Sequence, residues 1–454
     1  MVAGERAAQN VVELHGRLRP CFARSEPYAQ VKKYMAALMS DLPHKNGWTI
    51  AEHGGDATPY RTQRLLNHAV WDTYRAMGVV RGFVVEHLGS ALAGELVVGA
   101  LDESGQQKQG AATAGVKRQY MGCAGRVANG VNTVYCTYTS ARGHALVGAR
   151  IWVPAEQLDD QDRRAELGIP AEVTFKTKPQ LAKDIVDDMA ADCARGAGGG
   201  ALPPWFAGDE VYGRSSQLRQ ALEGHGVGYV MRAGCDFRVE VTPGVREPAD
   251  DLVARLLTGK KHRKRWEIHS VPGSKGARAY AWAWLATTSD RHFLLIRKHL
   301  ISGELAYHYC YVPPGRPVTL MTLIRVACLR WPVEEDFEFS KDHFGLDHSQ
   351  VRSYTALLRH IVLSMAALAV CAVTAAQQKP QARILPTHPD QQPPADTGLI
   401  ALTVAEIKRL FNLVTRQFQP VEHHLHWILW RRRHQARARW YHHRTRLQRN
   451  HQPA

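Results

Sequence analysis

The sequence predicts an α/β protein in which a mixed-sheet core is interrupted by a β-rich insertion, with helices before it and a basic helical tail after it. Three observations predict this fold class. Apolar side chains recur at helical spacing through the first 90 residues. From residue 95 to 234, short apolar strands alternate with helices, as in a sheet covered by helices. From residue 235 to 314, strand-like runs are separated only by turns, which indicates a second, β-rich unit.

The predicted elements follow the chain in order. Strands are predicted at Leu96–Leu101, Val131–Thr139, Ala145–Val153, Trp205–Gly208, Gly228–Met231, Ala277–Ala286, His292–Lys298 and Ala306–Val312. Helices are predicted at Pro179–Ala194, Gly213–Gly224, Arg330–His343 and Ser353–Ala376. Thr403 and Glu406 have the spacing of a capping box and open a last helix.

A chain of 454 residues is long enough for several domains. The pattern divides it into a helical segment at 1–92, a core in two parts at 93–234 and 317–376, and an insertion at 235–316. A Pro- and Gln-rich linker is predicted at 377–398, followed by a basic C-terminal helix and tail at 399–454.

The charge balance predicts a polyanionic partner. The chain has 58 Lys and Arg against 42 Asp and Glu, a formal net charge of +16. A surplus of this size favours nucleic acid or an acidic membrane face as a partner. The ordinary apolar content of 45% excludes a wholly disordered or fibrous chain.

Cysteine usage and apolar runs predict a cytoplasmic protein with no membrane partner. None of the eight cysteines forms a CxxC pair, which argues against a zinc ribbon and favours reduced thiols. The charged N-terminus carries no apolar signal segment. The most apolar stretch, Ile361–Ala376, is shorter than the ~20 residues of a membrane span, so we interpret it as a buried core helix.

Three carboxylates are candidate metal ligands because of where they fall in this pattern. Asp102 and Asp209 each end a short apolar strand, and Glu334 lies near the start of a helix. Carboxylates from neighbouring strands and a helix can hold Mg²⁺ for phosphodiester cleavage. Lys341, two helical turns after Glu334, can hold a phosphate from the same face. Alternatively, the aspartates are turn formers or helix caps and the helix presents a solvated, salt-bridged face.

The segment around Glu334 resembles the third catalytic segment of DDE transposases of bacterial insertion sequences. The resemblance rests on Arg330-Trp331-x-x-Glu334, Lys341, Gly345-Leu346-Asp347 and Val351-Arg352. The spacing Arg-x3-Glu-x6-Lys is that of the insertion-sequence-four-like group. That group's Tyr, three before the Arg, is Ala327 here, a departure that fits the branch numbered seven hundred and one.

The resemblance continues upstream, over roughly residues 25–370. Leu101-Asp102-Glu103-Ser104-Gly105 with Lys108 resembles the first-Asp segment. The residues around Arg118 then occur in the same order as in members of the family. Asp209-x-x-Tyr212-Gly213 resembles the second-Asp segment. The family has an RNase H-like catalytic core with an inserted β-strand domain, so the resemblance implies that fold here.

The resemblance implies a transposase that cleaves DNA at the ends of an insertion sequence and joins the freed 3′-OH to target DNA. Asp102, Asp209 and Glu334 would be catalytic and would hold two Mg²⁺ ions, with Mn²⁺ as a substitute. The implied partners are double-stranded DNA, as transposon ends and as target, and a second copy in a homodimeric synaptic complex. The helices at 1–92 would bind the DNA ends. The residues that would contact DNA phosphates are Arg330, Lys341, Lys108, Arg118 and Arg352.

Further DNA contacts are expected from aromatic and basic side chains. Relatives flip a base onto an aromatic ring in the insertion domain, for which the candidates here are Trp282, Trp284 and Trp266; the alternative is that these are core tryptophans of a β-sheet. Candidates for nonspecific contact are Lys260, Lys261, Arg263, Lys264, Arg265, Arg431, Arg432 and Arg433. For these the alternatives are a solvated turn and a disordered solubilising tail. Two other functions remain open: a catalytically inactive DNA-binding descendant, and a nuclease on the same fold.

Overall fold

The computed structural model describes residues 1–89, 95–196, 202–271, 278–378, 400–416 and 418–450. The predicted linker at 377–398 lies outside the described residues beyond residue 378. The segment from 1 to 89 is helical, as predicted. Its helices are α1 (Val2–Leu18), α2 (Ser25–Met39), α3 (Gly47–His53), α4 (Tyr60–Asn67) and α5 (Thr73–Leu88).

The core is a mixed sheet. Its strands are β1 (Val98–Gln107), β2 (Val116–Met121), β3 (Arg126–Ser140), β4 (Gly143–Ile151), β5 (Trp205–Gly208) and β6 (Gly228–Ala233). Strand β1 is antiparallel to β3 and parallel to β5, and β6 is parallel to β5. The resulting order β4-β3-β1-β5-β6, with β2 beside the first half of β3, is the RNase H-like arrangement that the resemblance implied. The α/β prediction is confirmed.

Five helices connect the strands of this core. They are α6 (Ala155–Asp159), α7 (Gln161–Glu166), α8 (Lys178–Ala194), α9 (Glu210–Gly213) and α10 (Ser216–Gly224). The helix predicted at Gly213–Gly224 is α10 and begins at Ser216, where the Ser215 side chain caps it by accepting a hydrogen bond from the Leu218 N–H; α9 was not predicted.

The β-rich block extends the same sheet. It contains β7 (Arg238–Thr242), β8 (Val245–Pro248), α11 (Ala249–Leu257), β9 (Glu267–Val271), β10 (Arg278–Ala286), β11 (His292–His299) and β12 (Leu305–Tyr311). Strand β12 pairs with β6, and β11, β10 and β9 follow outward. Helix α11 was not predicted, because nine residues with strong apolar content are too few to separate a helix from a strand by periodicity.

The rest of the described chain is helical. It forms α12 (Leu320–Cys328), α13 (Pro332–Phe344), α14 (Tyr354–Gln377), α15 (Val404–Thr415) and α16 (Val421–Asn450). Helices α11 and α12 cover opposite faces of the outer strands because side chains alternate along a strand. Trp282 and Leu295 pack with α12, whereas Ala283 and Ile296 pack with α11.

Helix α14 is the centre of the main core. It packs against β4 on one side and against α1, α2 and α5 on the other. By length and composition it could cross a membrane, but its most apolar window is entirely buried inside the protein. The interpretation of Ile361–Ala376 as a core helix is confirmed. Buried polar side chains on α14 have partners: the Tyr34 hydroxyl lies 2.8 Å from His360 Nδ1, and His360 Nε2 lies 2.8 Å from the Gly345 carbonyl.

Candidate active site

Asp102 and Asp209 lie side by side on parallel strands. Leu101 of β1 is in register with Gly208 of β5, so the next residue on each strand is an aspartate. The expectation that Asp102 ends its strand is wrong: β1 continues to Gln107, and Asp102 lies in its middle, opposite Tyr135 of β3. The polar residues after Asp102 stay in the strand because β3 supplies hydrogen-bonding partners along their whole length.

Asp209 follows β5 directly, as predicted, and its side chain caps α9, which is the alternative given above for these aspartates. Its Oδ1 accepts hydrogen bonds from the N–H groups of Val211 and Tyr212 at 2.9 and 3.3 Å. Helix α9 packs so closely on β6 that a Cβ on Gly213 would lie 1.9 Å from the Arg232 carbonyl oxygen. The glycine of this motif is therefore required for a steric reason, because only glycine permits this approach.

Glu334 is linked to Asp102 through Arg330. Glu334 is in the first turn of α13, and Arg330 precedes that helix. The Arg330 guanidinium bonds Asp102 Oδ2 through Nη1 at 2.5 Å and lies 3.7 Å from Glu334 Oε1 through Nη2. Residues separated by more than 100 positions thus meet at one guanidinium, with Asp209 on the adjacent strand.

The pKa of Asp102 is raised because the positive charge of Arg330 does not offset burial and the neighbouring carboxylates. Burial raises its pKa, Arg330 lowers it, and the charges of Asp209 and Glu334 raise it again, leaving a value of about 7. Burial and the nearby Glu103 also raise the pKa of Asp209, against the opposing effect of its two N–H donors. Mutually repelling carboxylates in one partly buried place favour binding of a cation.

A fourth carboxylate belongs to this site and was not singled out from the sequence. Glu103 Oε2 accepts a hydrogen bond from the Tyr212 hydroxyl at 2.8 Å, and Glu103 Oε1 pairs with Lys178 Nζ at 2.5 Å. These contacts join β1, α9 and the start of α8 beside Asp209. Only the adjacency of Glu103 to Asp102 marked it in the sequence, because its partners lie 75 and 109 residues away.

Helix α13 is fixed to the sheet by a buried ion pair. Asp336 is fully buried; its Oδ1 lies 2.8 Å from His144 Nδ1, and its Oδ2 accepts a hydrogen bond from the Thr137 hydroxyl at 2.9 Å. His144 Nε2 also lies 3.3 Å from Glu335. Burial alone lowers the pKa of His144, but the attraction of Asp336 and Glu335 outweighs it and raises the pKa to about 10. The same helix carries Glu334, so this pair sets where Glu334 stands.

The pKa of His144 predicts a pH dependence of stability. A pKa of about 10 in the folded protein, against 6.5 for an ordinary histidine, means that this pair stabilises fully below pH 6.5 and is lost as the pH rises through 10. We expect the free energy of unfolding of the wild type, minus that of His144→Asn, to fall between pH 7 and 10 in urea titrations. The exposed His442→Asn serves as the control; a wild-type-minus-His144→Asn difference constant over this range would contradict the prediction.

The three candidate ligands are all carboxylates, the hard oxygen donors that Mg²⁺ and Mn²⁺ prefer. Among the described residues, one group of three has ligand atoms all within 4.8 Å of one another, namely Glu13, Glu86 and His87. Arg17 already supplies a cation there, at 2.5 Å from Glu13 and 2.6 Å from Glu86. Asp102, Asp209 and Glu334 do not form such a close group among the described residues, and Arg330 likewise supplies the positive charge between Asp102 and Glu334.

The predicted phosphate-contacting residues fall in three places. Arg330 lies among the carboxylates, and Lys341 is half-buried two turns along α13 from Glu334. Lys108 follows the end of β1, where its Nζ donates to the Ser349 carbonyl at 2.5 Å, and burial lowers its pKa to about 8. Lys108 and the exposed Arg352 line one cavity of about 570 Å³. Arg118 is exposed on β2.

A second cavity, of about 390 Å³, adjoins Arg330 and is called here the arginine cavity. Its lining includes Arg232, Arg278, Arg297, Arg330, Trp282, His308 and Trp331. The Trp282 Nε1 and the His308 Nδ1 are buried without a hydrogen-bond partner. Burial and the nearby arginines lower the pKa of His308 to about 3, so its ring is neutral. The guanidinium groups give this cavity a positive lining beside the carboxylates.

The three candidate stacking tryptophans differ in environment. Trp282 is 1% exposed, so stacking on it requires access through the arginine cavity. Trp284 stacks on Phe293 with centroids 5.0 Å apart. Trp266 donates from Nε1 to the Leu257 carbonyl at 3.0 Å.

The predicted basic segments take different forms. The run Lys260–Arg265 forms a 3-10 helix between α11 and β9, with no residue of it buried. Arg431, Arg432 and Arg433 lie in α16, and Arg431 pairs with Glu52 of α3. The predicted capping box of Thr403 and Glu406 opens α15, which confirms that prediction.

The comparisons with known proteins support the fold. A family model described as the DDE superfamily endonuclease matches residues 17–289, more than half of the chain. The chain belongs to this family. Within it, the chain is similar to a protein of Microchaete diplosiphon described as "Probable transposase for insertion sequence element IS701", with 24% identity over 268 residues. That alignment covers 57% of this chain and 63% of the relative, so the chain spans just under two thirds of that relative's length.

The family assignment confirms the resemblance recognised in the motifs. Asp102 and Asp209 lie inside the region that the family model matches, whereas Arg330, Glu334 and Lys341 lie beyond its end. The third carboxylate is therefore assigned from its motif and from its contact with Arg330, which also contacts Asp102.

Proposed function

We propose that this protein is an insertion-sequence transposase that cleaves DNA at the element's ends and joins them to target DNA with the help of divalent metal ions. The proposal is supported by Arg330, which contacts both Asp102 and Glu334, and by the strand register that brings Asp209 beside Asp102 in an RNase H-like core. The family supports endonuclease chemistry, and the similarity to an insertion-sequence protein supports transposition as its purpose.

The three carboxylates would hold two Mg²⁺ ions, or Mn²⁺ in their place. Bound there, the ions would activate a water or 3′-hydroxyl and neutralise charge on the leaving oxygen. The chain's own residues do the positioning: β1 and β5 hold the two aspartates level, and the buried Asp336 fixes the helix that carries Glu334. Arg330 would pass from its carboxylate partners to a DNA phosphate when positive ions enter the site.

The DNA strand would run along the basic surface on either side of the carboxylates. Lys341 lies about 10 Å from Glu334 along α13, and Lys108 lies about 20 Å from Asp102 along β1. On the other side, the arginine cavity would receive the nucleotide next to the cleaved bond, with Trp282 as a stacking surface, and Trp284 is proposed as the alternative stacking residue outside this cavity. Trp266, Arg118 and Arg352 are proposed as further DNA contacts, and the run Lys260–Arg265 as a nonspecific one.

The proposed partners are double-stranded DNA and a second copy of the chain in a synaptic complex. Helices α1–α5 are proposed to bind the DNA ends, within the domain limits given by the sequence pattern. Action on chromosomal DNA would put the protein in the bacterial cytoplasm, at the nucleoid.

The proposal predicts metal-dependent cleavage of the element's own ends. The substrate is a duplex that carries the inverted repeat flanking the coding sequence, and the control is a duplex of the same composition in scrambled order. With Mg²⁺ present we expect cleavage at the repeat boundary, and none with EDTA. Gel analysis of end-labelled strands measures it.

The outcomes separate the competing functions. Equal cleavage of the repeat and scrambled duplexes would indicate a general nuclease on this fold. Binding without cleavage in Mg²⁺ or in Mn²⁺ would indicate an inactive, transposase-derived DNA-binding protein.

A further inference from the structure

Helix α16 is docked to the protein at one end and leaves the rest of its length exposed. Trp427 is fully buried and donates from Nε1 to the Asp56 carbonyl at 2.9 Å. One and two turns further on, Arg431 pairs with Glu52, and His434 packs edge-on against Trp48 with ring centroids 4.8 Å apart. From residue 435 to 448 every residue except Ala438 is exposed. Thirty residues make a helix about 45 Å long, so roughly its last 20 Å stands clear of the core.

The exposed part of α16 is strongly basic and ordered in a pattern. No acidic residue follows Glu422. At about 100° per residue, six of the eight arginines from Arg431 to Arg449 fall into two rows about 140° apart around the helix, and the other two positions lie on the docking side. The first row is Arg432, Arg439 and Arg446, spaced by seven residues; the second is Arg433, Arg437 and Arg444. We call these the two arginine rows.

The strip between the rows points away from the protein. It contains Ala436, Trp440, His443 and Leu447. Its centre lies on the side of the helix opposite the docking residues Trp427, Arg431 and His434. Docking therefore turns outward a surface with cations at both edges and small, aromatic and imidazole side chains along the middle.

We infer that α16 lies in the major groove of double-stranded DNA, with one arginine row on the phosphates of each strand and the strip between them facing the base edges. A helix is about 10–12 Å across, and the groove is about 12 Å wide and bordered by a phosphate backbone on each side. Seven residues advance about 10.5 Å along the helix, which is close to the roughly 10 Å that three successive phosphate steps of one strand span along the DNA axis. Two rows of cations flanking one uncharged strip match this arrangement.

The position of α16 on the protein supports DNA as the occupant. Trp48, which contacts Trp430 and His434 of α16, also lines a cavity of about 490 Å³ together with Lys45 and Arg352. Arg352 is one of the proposed phosphate contacts of the catalytic core. The basic surface of the core therefore continues onto the helix. This inference rests on the proposed function for its DNA partner, and adds an element outside the family-matched region 17–289.

The inference is tested with the full chain and a 30-base-pair duplex of arbitrary sequence, by fluorescence anisotropy at several salt concentrations. Each phosphate contact contributes about 0.9 to the slope of log affinity against log salt, so R432Q/R439Q/R446Q should lower that slope by about 2.7. The other row, R433Q/R437Q/R444Q, should do the same. The matched control R432K/R439K/R446K keeps the charges and should keep the wild-type slope. All six positions are exposed, so circular dichroism should remain that of the wild type.

A second duplex locates the helix in the groove. Glucosylated 5-hydroxymethylcytosine fills the major groove and leaves the phosphates unchanged. We expect the wild type to bind this duplex with a salt slope lower by about 5.4, because both arginine rows lose their phosphates, and the R432Q/R439Q/R446Q variant to lose only the remaining contribution of about 2.7. Equal wild-type affinity for the two duplexes, or an unchanged salt slope in both arginine-to-glutamine variants, would overturn the inference. The inference would also be overturned if the arginine-to-glutamine variants lost binding to anionic phosphatidylglycerol vesicles but kept duplex binding, because the helix would then be assigned to a membrane.

These results are independent of the catalytic proposal. If the wild type cleaves the ends of the insertion sequence and both arginine-to-glutamine variants keep the wild-type salt slope, the proposed function is retained and the role of α16 is refuted. A protein that shows the slope change and the groove effect but never cleaves retains the role of α16 and refutes the catalytic proposal.

Discussion

Replacing either aspartate of the site by asparagine should abolish DNA cleavage and leave DNA binding near the wild-type level. Asp102→Asn or Asp209→Asn keeps the shape of the side chain but removes an anionic oxygen ligand. Loss of about 4 kcal/mol of transition-state stabilisation corresponds to a decrease of roughly 10³-fold in the cleavage rate. The measurement is single-turnover cleavage of the repeat duplex, with binding followed separately by anisotropy.

Asp342→Asn is the matched control for these variants. Asp342 is exposed on the same helix that carries Glu334, so its loss changes the net charge equally without touching the site. We expect its cleavage rate to equal that of the wild type. Full activity of Asp102→Asn or of Asp209→Asn would refute the assignment of the carboxylates.

Removing Asp336 should be the most destabilising single change at the site. Asp336→Ala leaves a charged His144 without its buried partner and the Thr137 hydroxyl without its acceptor. Breaking a buried ion pair by removing one partner costs about 3–5 kcal/mol. We expect a loss of that size in the free energy of unfolding measured in urea, and a lower cleavage rate under conditions where the variant is still folded.

Glu335→Ala tests whether burial of Asp336 is the reason for the large loss of stability expected in Asp336→Ala. Glu335 contacts the same histidine from the next position, but its side chain is 38% exposed, so its loss should cost about 1 kcal/mol or less. Equal destabilisation by the two substitutions would contradict the explanation. If Asp336→Ala lost stability but cleaved at the wild-type rate when folded, Asp336 would have no part in placing Glu334.

Much of the local structure could be predicted from the sequence because it depends on neighbours in the chain. Strand β5 and the Asp209 cap are set by a four-residue apolar run followed by a residue whose side chain accepts from the next N–H groups. The capping box at Thr403 likewise involves residues three apart. Helix α11 was missed, because a short amphipathic run carries too little periodicity.

What the sequence by itself determined is the chemistry: the acidic residues, their order, the basic surplus and the family motifs that contain them. Only the tertiary structure decided which of those groups meet. It put Asp102 in the middle of a strand, paired Arg330 with a carboxylate 228 residues earlier, and brought Glu103 and Asp336 to the site. The reason is physical: periodicity reports the conformation of adjacent residues, whereas strand register and helix docking depend on packing between segments far apart in the chain.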